Sequence, residues 1–374
     1  MVKRPPSIRT DASNRFAHHT MRVRFPAILE RVIADLSPSM QQAKDAVRAL
    51  ADEVLGDKPI GPLQGPAPDL DQWAAPFASH ASDTWLATDW FFAETYLYRR
   101  MIEAVRYFET EVDPFAVTKA DDLAKPATWE SVEAARSAPS LGHEARIMML
   151  LEAALWGNRL DLSYAGAAAL GMHASVSDLI VDDRSRALSL LLRRDARIAL
   201  VADNTGAELL LDLVLAAALI EGGAREVVVH VKGHPTFVSD AIAADVRTAL
   251  SRLGAVHEAH FHAGRLRIAP DVFWNSPAFI DHVPPHLAFA LARCDVAIVK
   301  GDANYRRLVG DAIWAPITAP RSASGPLPCP FLALRTLKSD PIVGLPGGLA
   351  EKLDVESSLW RVDGKRGVAQ LFSA

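Results

Sequence analysis

Cysteine, charge of one sign and long apolar runs are all scarce in this sequence of 374 residues. Its two cysteines, Cys294 and Cys329, are too few for a disulfide framework and lack C-x-x-C spacing, so we expect small core residues. The 40 Lys and Arg residues against 45 Asp and Glu leave a net charge of −5, which provides no general field for nucleic acid. The longest apolar runs, such as residues 214–220, are too short to span a membrane. No apolar segment follows the basic residues 1–6, and we therefore expect a cytoplasmic protein without nucleic-acid or membrane partners.

Several catalytic motifs are absent as well. The sequence contains no G-x-x-x-x-G-K-[ST] loop and no G-x-G-x-x-G after a predicted strand, which argues against P-loop and dinucleotide-binding enzymes. Without a G-x-S-x-G elbow, an α/β-hydrolase triad has no position for its nucleophile. The string HEAH at 257–260 is one residue shorter than the zinc motif H-E-x-x-H. We therefore interpret His257, His260 and His262 as partly exposed strand or loop residues rather than a zinc site.

The first half of the chain has the apolar spacing of helices. That spacing predicts helices over about residues 26–36, 41–55, 85–101 and 144–155. A Pro- and Gly-rich connection, KPIGPLQGPAP, separates the second predicted helix from the third. No β-alternation is evident before about residue 187. We therefore expect an all-helical N-terminal domain over residues 1–186.

Strands and helices alternate in the second half. Strands are predicted at 197–202, 226–231, 267–268, 296–299 and 331–334, and helices at 207–221 and 239–253. This alternation with short loops predicts an α/β fold, a three-layer α/β/α domain over residues 187–374 with a mostly parallel, doubly wound sheet. Ligands bind such sheets at the carboxyl ends of the strands, so candidate functional residues should follow the strands.

Oxygen-bearing side chains follow the first two of these strands. Asp203 and Asn204 come directly after the first strand, and Asp240 comes shortly after the second. If the two strands are neighbours, these side chains offer Mg²⁺ or Mn²⁺ three oxygen ligands with positions left for phosphate. The competing interpretation is helix capping, because Thr205 and Glu208 have capping-box spacing and Asp240 stands at a predicted helix start. Both interpretations stay open at this point.

Polar residues also follow the later strands. The string KGDANYRR at 300–307 begins with a tight turn and then offers Asp302, Asn304 and Arg306 to sugar hydroxyls or phosphate. The alternative is a solvated loop that opens a helix, with Asp302 or Asn304 as its cap. Lys338 follows the last predicted strand, where a lysine is well placed to hold an anion, although most surface lysines are simply solvated.

The helical half carries a few polar residues in apolar surroundings. Glu94 lies within the apolar string TWLATDWFFAETYLYRRM, whose aromatic residues have the spacing of a helix core. Asn158 and Asp161 follow an apolar helix and need polar partners. Ligand sites are common in clefts between domains, which makes Glu94 and Asn158 candidates for the helical domain's share of a pocket.

Six strings occur in the order found in a known family. They are WFFAETYLYRR at 90–100, LWGNRLDLS at 155–163, DNTGAELLLD at 203–212, PTFVSD at 235–240, KGDANYR at 300–306 and RTLK at 335–338. Together they resemble the damage-control phosphatase family, in its acidic-residue methyltransferase-like branch. The R-T-x-K string points to this branch rather than to the pantetheine-phosphate branch. The resemblance runs from about Phe16 to the last strand, which is nearly the whole chain.

The resemblance implies a helical N-terminal domain packed on an α/β/α metal-binding domain. It implies hydrolysis of phosphate monoesters with one divalent metal ion (Mn, Ni, Co or Mg), and sugar phosphates such as fructose 1-phosphate or fructose 6-phosphate as substrates. The family's metal ligands fall on Asp203, Asn204 and Asp240. Its substrate-binding positions fall on Asp302, Asn304, Tyr305, Arg306 and Lys338. Ala303 replaces an expected leucine and the loop 319–330 diverges, which affects substrate choice more than the metal site.

The mechanism these residues suggest is metal-assisted transfer of a phosphoryl group to water, with Lys338 on a phosphate oxygen. Whether water attacks directly or Asp203 attacks first and forms an acyl phosphate stays open. One alternative is an S-adenosylmethionine-dependent protein carboxyl methyltransferase, in which Glu208 contacts the cofactor. No glycine-rich turn follows the first strand to receive that cofactor. A further alternative is a non-catalytic protein that binds sugar phosphate or metal. The sequence makes no prediction about oligomeric state.

Overall fold

A seven-stranded β-sheet is the centre of the second half of the chain. The computed structural model describes residues 2–137, 142–157 and 178–373. The strands are β1 (Leu179–Asp182), β2 (Arg197–Val201), β3 (Glu226–Lys232), β4 (Leu266–Asp271), β5 (Val296–Lys300), β6 (Phe331–Thr336) and β7 (Gly367–Phe372). Their order is β1-β7-β6-β5-β2-β3-β4; β7 is antiparallel to β6 and the other neighbouring pairs are parallel. The predicted α/β class with a mostly parallel sheet is confirmed.

Two strands, β1 and β7, are missing from the sequence prediction. β1 is a four-residue edge strand without a fully buried residue, so it contains no apolar run long enough to recognise. In β7 the buried Gln370 interrupts the apolar pattern, because its amide bonds Tyr305 and the Val343 carbonyl. β1 also begins before residue 187, the predicted domain boundary. The division into domains 1–186 and 187–374 stays a prediction.

Helices form the first half of the chain and cover the sheet. They are α1 (Arg15–His19), α2 (Phe25–Asp35), α3 (Gln41–Leu55), α4 (Leu70–His80), α5 (Trp90–Ala104), α6 (Tyr107–Thr110), α7 (Ala116–Ala124), α8 (Pro126–Arg136), α9 (His143–Trp156), α10 (Arg184–Leu191), α11 (Ala207–Glu221), α12 (Ala243–Leu253), α13 (Ala255–His262), α14 (Pro285–Ala292), α15 (Asp302–Val309), α16 (Pro320–Ser324) and α17 (Leu349–Glu356). A π-helix, Thr20–Arg24, joins α1 to α2, and 3₁₀ turns span Val272–Asn275 and Ile280–His282. Among the described residues, no helix combines the length and apolarity needed to cross a bilayer.

The sheet separates two hydrophobic cores. Along β2, Ile198 and Leu200 face one core while Ala199 and Val201 face the other, as the two-residue period of a strand requires. On the first side, α11 is buried along nearly its whole length because it lies between the sheet and helices α8 and α9. On the second side, α14 and α15 contribute the buried apolar residues. Helices therefore cover both faces of the sheet.

Helices α2 to α5 pack around a third core of their own. Helix α5 begins at Trp90 rather than at the predicted residue 85. Residues 85–88 form turns and bends instead, because Pro59 and Thr84 pair as an isolated bridge and the Trp85 N–H donates to the Lys58 carbonyl. Backbone pairing between distant segments therefore replaces the first helical turn predicted from sequence.

Two other local expectations are wrong. His257, His260 and His262 are not on a strand or loop but on α13, where His257 and His260 are buried and His262 is exposed. Helix α12 starts at residue 243 instead of 239, because residues 240 and 242 form bridges with Asn204 and Lys232. The cysteine prediction is confirmed for Cys329, which is buried in the second core, whereas Cys294 packs only partly against it.

Strand connectivity creates a crevice between β2 and β5. From β2 the chain continues to β3 on one side, and from β5 it continues to β6 on the other. Loops at the carboxyl ends of two such strands diverge and leave an opening, which is the usual ligand position in doubly wound sheets. The residues that follow β2 and β5 therefore lie where a ligand is expected.

Candidate active site

A cavity of about 100 Å³ opens at the carboxyl ends of β2 and β5. Most residues predicted from the sequence line it, namely Glu94, Asp203, Asn204, Asp240, Asp302, Arg306 and Lys338. A larger cavity of about 650 Å³ lies between α7 and α12 and has Lys119 and Arg247 in its wall, but it contains none of these residues. Most of the site residues predicted from the sequence therefore lie in the smaller cavity.

The backbone brings the segments after β2 and β3 together. Asn204 and Asp240 pair as an antiparallel bridge. The Thr205 N–H donates to the Ser239 carbonyl at 2.7 Å, and the Ala241 N–H donates to the Asp203 carbonyl at 2.8 Å. These backbone bonds hold the side chains of Asp203, Asn204 and Asp240 on one wall of the cavity. Their predicted convergence is thus present, while their role as metal ligands stays a prediction.

Helix capping does not account for these residues. Gly206, not Thr205, stands before α11, and the Thr205 hydroxyl has no hydrogen-bond partner in the described part of the chain. The Glu208 carboxylate accepts from Lys300 and Asn204 instead of closing a capping box. At the next helix it is Asp245, not Asp240, whose carboxylate accepts the N–H at the helix start, at 2.9 Å. The capping alternative is therefore wrong at both positions.

Hydrogen bonds fix the orientation of the Asn204 amide. Its Nδ2 donates to Asp203 Oδ2 and to Glu208 Oε2, both at 3.0 Å. Its Oδ1 accepts from the Ser239 hydroxyl at 2.7 Å. Glu208 is in turn held by Lys300, whose buried ammonium lies 2.8 Å from Oε1 and 2.9 Å from Asp212 Oδ1. The amide oxygen therefore has a defined direction and a second lone pair available.

Two carboxyl groups of the cavity, those of Asp203 and Asp240, have raised pKa values. Burial raises the pKa of Asp203 well above its ordinary value, and the charges of Asp240 and Glu208 act in the same direction. Burial also raises the pKa of Asp240 to about 6, although Lys232 Nζ lies 3.2 Å from Asp240 Oδ2 and opposes the shift. Burial is thus the main cause of both shifts.

The donor set fits a divalent cation. Two carboxylates and one amide oxygen are the hard ligands that Mg²⁺ and Mn²⁺ prefer. Asp240 Oδ2 is buried and, apart from its ion pair with Lys232 Nζ at 3.2 Å, has no hydrogen-bond partner in the described residues. In residues 2–137, 142–157 and 178–373, no three His, Cys, Asp or Glu side chains are grouped to hold a metal by themselves. An incomplete protein set of this kind suits a cation that shares its coordination shell with water and phosphate.

Gly301 allows the Asp203 carboxylate to occupy its position. Gly301 directly follows β5 and has a φ of 87°, in the region that favours glycine. A Cβ on this residue would lie 1.9 Å from Asp203 Oδ2. The tight turn recognised in the sequence therefore has a second role, since a side chain at 301 would collide with the candidate metal ligand.

Asp302 positions the loop that carries Lys338. Its Oδ1 accepts from Arg335 Nε at 2.8 Å and from the Lys338 backbone N–H at 3.2 Å. Burial acts to raise the pKa of Asp302, but the charges of Arg335 and Arg306 outweigh it and lower the pKa. Lys338 itself is exposed at the cavity, and its ammonium pairs with no carboxylate of the described residues. It is therefore available to an anion.

Asn304 and Tyr305 lie behind the cavity rather than on its wall. The Asn304 Nδ2 donates to the Lys300 carbonyl at 2.9 Å, and the side chain is buried. The Tyr305 hydroxyl donates to Gln370 Oε1 at 2.9 Å, while the Arg335 guanidinium stacks over the Tyr305 ring. Both side chains hold α15 against the sheet. Their contact with substrate stays a prediction that this arrangement does not favour.

Arg306 and Glu94 join the helical half to the sheet half at the cavity. Arg306 donates to Asp311 at 2.7 Å, pairs with Glu94 and stacks over the Trp90 ring at 4.0 Å. Its charge is therefore already balanced by two carboxylates, although both Arg306 and Glu94 line the cavity. The other candidate from the helical half, Asn158, lies outside the described residues.

Several residues of the cavity were not singled out from the sequence. Phe16, Arg24 and Thr336 also line it. Arg24 stands two residues before the proline that marks the start of α2, but nothing in that spacing shows that its side chain faces a cavity. The packing of the first helices against the sheet brings Phe16 and Arg24 to the site, whereas Thr336 is the last residue of β6.

Comparison with known proteins identifies the family. The family model described as the damage-control phosphatase ARMT1-like domain matches residues 20–353. The chain belongs to this family. Proteins named damage-control phosphatase ARMT1 are 29% identical in mouse and 30% identical in rat, in each case over 99% of both chains. The zebrafish protein of that name is 28% identical over 99% of this chain and 97% of its own.

Membership of the damage-control phosphatase ARMT1-like family confirms the resemblance found in the sequence. It also confirms that the protein is a phosphatase, and therefore a hydrolase. A crystal structure of a DUF89 family protein from Pyrococcus horikoshii has the same fold, with a TM-score of 0.53 and 16% identity. That similarity covers 94% of this chain and 95% of the archaeal one. The helical half and the sheet half therefore occur together in both proteins.

Proposed function

We propose that this protein is a divalent-metal-dependent phosphatase that hydrolyses small phosphate monoesters. The observation that supports it most is that one cavity contains both oxygen-bearing side chains suited to a cation and an ammonium suited to an anion. Asp203, Asn204 and Asp240 would provide oxygen ligands for a cation, and Lys338, which lines the same cavity, has an ammonium that pairs with no carboxylate of the described residues. A cation and a phosphate group would each find the partner that its charge requires.

Each residue of the chain would have a distinct task. Asp203, Asn204 and Asp240 would hold the cation (Mn, Ni, Co or Mg), which when bound would offset the charge on the transferring phosphoryl group. Lys338 would bind a phosphate oxygen, and Asp302 would keep the Lys338 loop in place through the bond to its backbone N–H. The attacking oxygen would come from water or from Asp203, and trapping of an acyl phosphate would distinguish these routes.

We expect sugar phosphates such as fructose 1-phosphate or fructose 6-phosphate as substrates. Glu94 and Thr336 line the cavity and can hydrogen-bond sugar hydroxyls. A cytoplasmic location and the absence of nucleic-acid and membrane partners stay predictions.

Metal binding tests the ligand set apart from turnover. Binding of Mn²⁺ to chelator-treated protein would be measured by electron paramagnetic resonance for the wild type and for Asp203→Ala, Asn204→Ala and Asp240→Ala. We expect these three variants to lose Mn²⁺ affinity together with phosphate release, and Asp302→Ala to lose phosphate release while it still binds Mn²⁺. Unchanged Mn²⁺ binding in all three variants would exclude the proposed ligand set.

The geometry favours the methyltransferase alternative less than the phosphatase, although Glu208 lines the cavity. That alternative requires Glu208 to contact S-adenosylmethionine, but both oxygens of this carboxylate accept hydrogen bonds, from Lys300 and from Asn204. The non-catalytic alternative predicts that Asp203→Ala leaves turnover unchanged. Phosphate release from sugar phosphates, and methyl transfer from labelled S-adenosylmethionine, would separate these alternatives from the proposed activity.

A further inference from the structure

Arg24 lies at the end of an unusual turn of backbone. It is the last residue of the π-helix Thr20–Arg24, where the Phe25 N–H donates to the Thr20 carbonyl five residues earlier. Pro26 follows at once, and a proline has no N–H to donate and crowds the carbonyl four residues before it. That proline gives a physical reason for the wider turn. Single π-turns of this kind are rare in helices overall, but those that occur are often at functional sites.

The π-turn leaves Arg24 on the cavity wall while its neighbour Phe25 stays in the core of the helical half. Burial raises the pKa of the Tyr98 phenol, and the nearby charge of Arg24 acts in the opposite direction. The Tyr98 ring packs at 5.1 Å against Phe237, which is itself part of the cavity wall. The Arg24 charge is therefore near Tyr98 of α5, at the cavity.

Most cations around the cavity are already paired with carboxylates. Arg306 is paired with Glu94 and Asp311, and Lys300 with Glu208 and Asp212. Arg24 is different, because its guanidinium has neither an ion pair nor a hydrogen bond within the described ranges. Lys338 is the other cavity cation whose ammonium has no carboxylate partner there. Two cations without protein partners therefore share this cavity with the candidate metal ligands.

We propose that Arg24 binds the phosphate group of the substrate together with Lys338. A guanidinium presents parallel N–H groups that match two phosphate oxygens, whereas an ammonium acts as a point charge, so the two residues would hold the group in one orientation. This assignment rests on the proposed phosphatase function and deepens it. It makes the first helices of the chain part of the substrate site.

The competing interpretation is a solvated surface arginine, which is the usual state of an exposed arginine. The chain provides a matched control for it. Arg22 is exposed in the same π-turn but is not part of the cavity wall. A general effect of charge or of the π-turn would be the same for both residues, whereas phosphate binding requires Arg24.

The test compares Arg24→Gln, Arg24→Lys and Arg22→Gln with the wild type. Three quantities would be measured: kcat and KM for the best sugar phosphate, the dissociation constant of inorganic phosphate by calorimetry with Mn²⁺ present, and Mn²⁺ affinity by electron paramagnetic resonance. We expect Arg24→Gln to raise KM and the phosphate dissociation constant by about 10- to 100-fold, the usual effect of losing a hydrogen bond to a charged group. Arg24→Lys should recover part of the loss. Mn²⁺ affinity, and every value for Arg22→Gln, should match the wild type.

The outcomes separate this inference from the proposed function. If the wild type releases phosphate but Arg24→Gln and Arg22→Gln bind inorganic phosphate equally well, the assignment of Arg24 is wrong and the phosphatase remains. If the wild type releases no phosphate with any metal, the proposed function fails. In that case, weaker binding of inorganic phosphate to Arg24→Gln than to the wild type would support an anion site at Arg24. Equal binding to both would overturn the assignment of Arg24. Melting temperatures would show whether Arg24→Gln folds, and Arg24→Lys tests the same point with the charge retained.

Discussion

Gly301 lies directly against the carboxylate of Asp203. A Cβ at residue 301 would be 1.9 Å from Asp203 Oδ2, so the two residues cannot keep their positions if 301 has a side chain. Gly301→Ala should therefore displace the carboxylate and reduce kcat/KM by about 100-fold, since a shift near 1 Å at a reacting group has effects of that size. The measurement is steady-state phosphate release at saturating metal.

Gly254→Ala is the matched control for this variant. Gly254 has nearly the same backbone conformation, with a φ of 88°, but a Cβ there would meet nothing within 4 Å. Both variants force a non-glycine residue into a strained conformation, which costs about 1–3 kcal/mol of stability. Only Gly301→Ala should lose activity beyond that shared effect. Equal activity losses would show that backbone strain, not the contact with Asp203, is responsible.

Glu208→Gln should weaken metal binding through Asn204. Glu208 accepts hydrogen bonds from both Lys300 and Asn204, and a glutamine amide cannot accept both. The Asn204 amide would then lose its fixed direction. We expect Mn²⁺ affinity to fall by about 10- to 100-fold, as for other residues that orient metal ligands.

Asp212→Asn separates orientation from stability in the same cluster. Asp212 contacts Lys300 but has no hydrogen bond to Asn204. It should therefore reduce the melting temperature and leave Mn²⁺ affinity near that of the wild type. Equal loss of affinity in both variants would contradict an orienting role for Glu208.

The buried ion pair between Asp69 and Arg99 should be important for the stability of the helical half. Arg99 Nε donates to Asp69 Oδ2 at 2.7 Å, and both side chains are almost fully buried. Asp69→Ala would leave the guanidinium buried without its partner, which costs about 3–5 kcal/mol. Asp71→Ala, two residues along and exposed, should change the unfolding free energy by less than about 0.5 kcal/mol. Urea unfolding of both variants tests the difference.

His80 should make stability depend on pH. Burial acts to lower its pKa, but the bonds to Asp89 and to the Pro76 carbonyl outweigh this and raise the pKa above the ordinary 6.5. The folded state therefore favours the protonated ring. This contribution is fully present below pH 6.5 and is lost as the pH rises through the higher pKa of the folded protein.

His80→Gln should make the unfolding free energy fall less steeply between about pH 6 and pH 8, where histidine titrates. His19→Gln is the control, since His19 is exposed and its ring has no hydrogen-bond or ion-pair partner in the described part of the chain. It should keep the slope of the wild type. A steeper fall in His80→Gln than in the wild type would reverse the sign and contradict this assignment.

The sheet and the metal-ligand candidates could be predicted because their sequence patterns are local. Strand β2 is an apolar run that ends at Asp203 and Asn204, and strand β3 repeats the pattern before Asp240. The rule that ligands bind at the carboxyl ends of strands then selected these residues. β1 and β7 escaped prediction, because one has no buried run and the other contains the buried Gln370.

The roles of other residues depend on tertiary contacts that no spacing shows. Tyr305 shares a string with Asp302, yet its hydroxyl bonds Gln370 of β7 and faces away from the cavity. Arg306 is neutralised by Glu94, which is 212 residues away in the chain. Arg24 reaches the cavity through a π-turn that helical periodicity does not predict. Local patterns therefore identify the strand ends, and packing between the halves determines which side chains remain available.

The most direct test is phosphate release by metal-stripped protein from a panel of sugar phosphates and p-nitrophenyl phosphate. Mg²⁺, Mn²⁺, Co²⁺ or Ni²⁺ would be added back to the wild type and to Asp203→Ala. We predict that at least one metal restores turnover in the wild type and that none does so in the variant. Turnover that is unaffected by chelation, or equal in Asp203→Ala, would contradict a metal-dependent phosphatase built on this carboxylate.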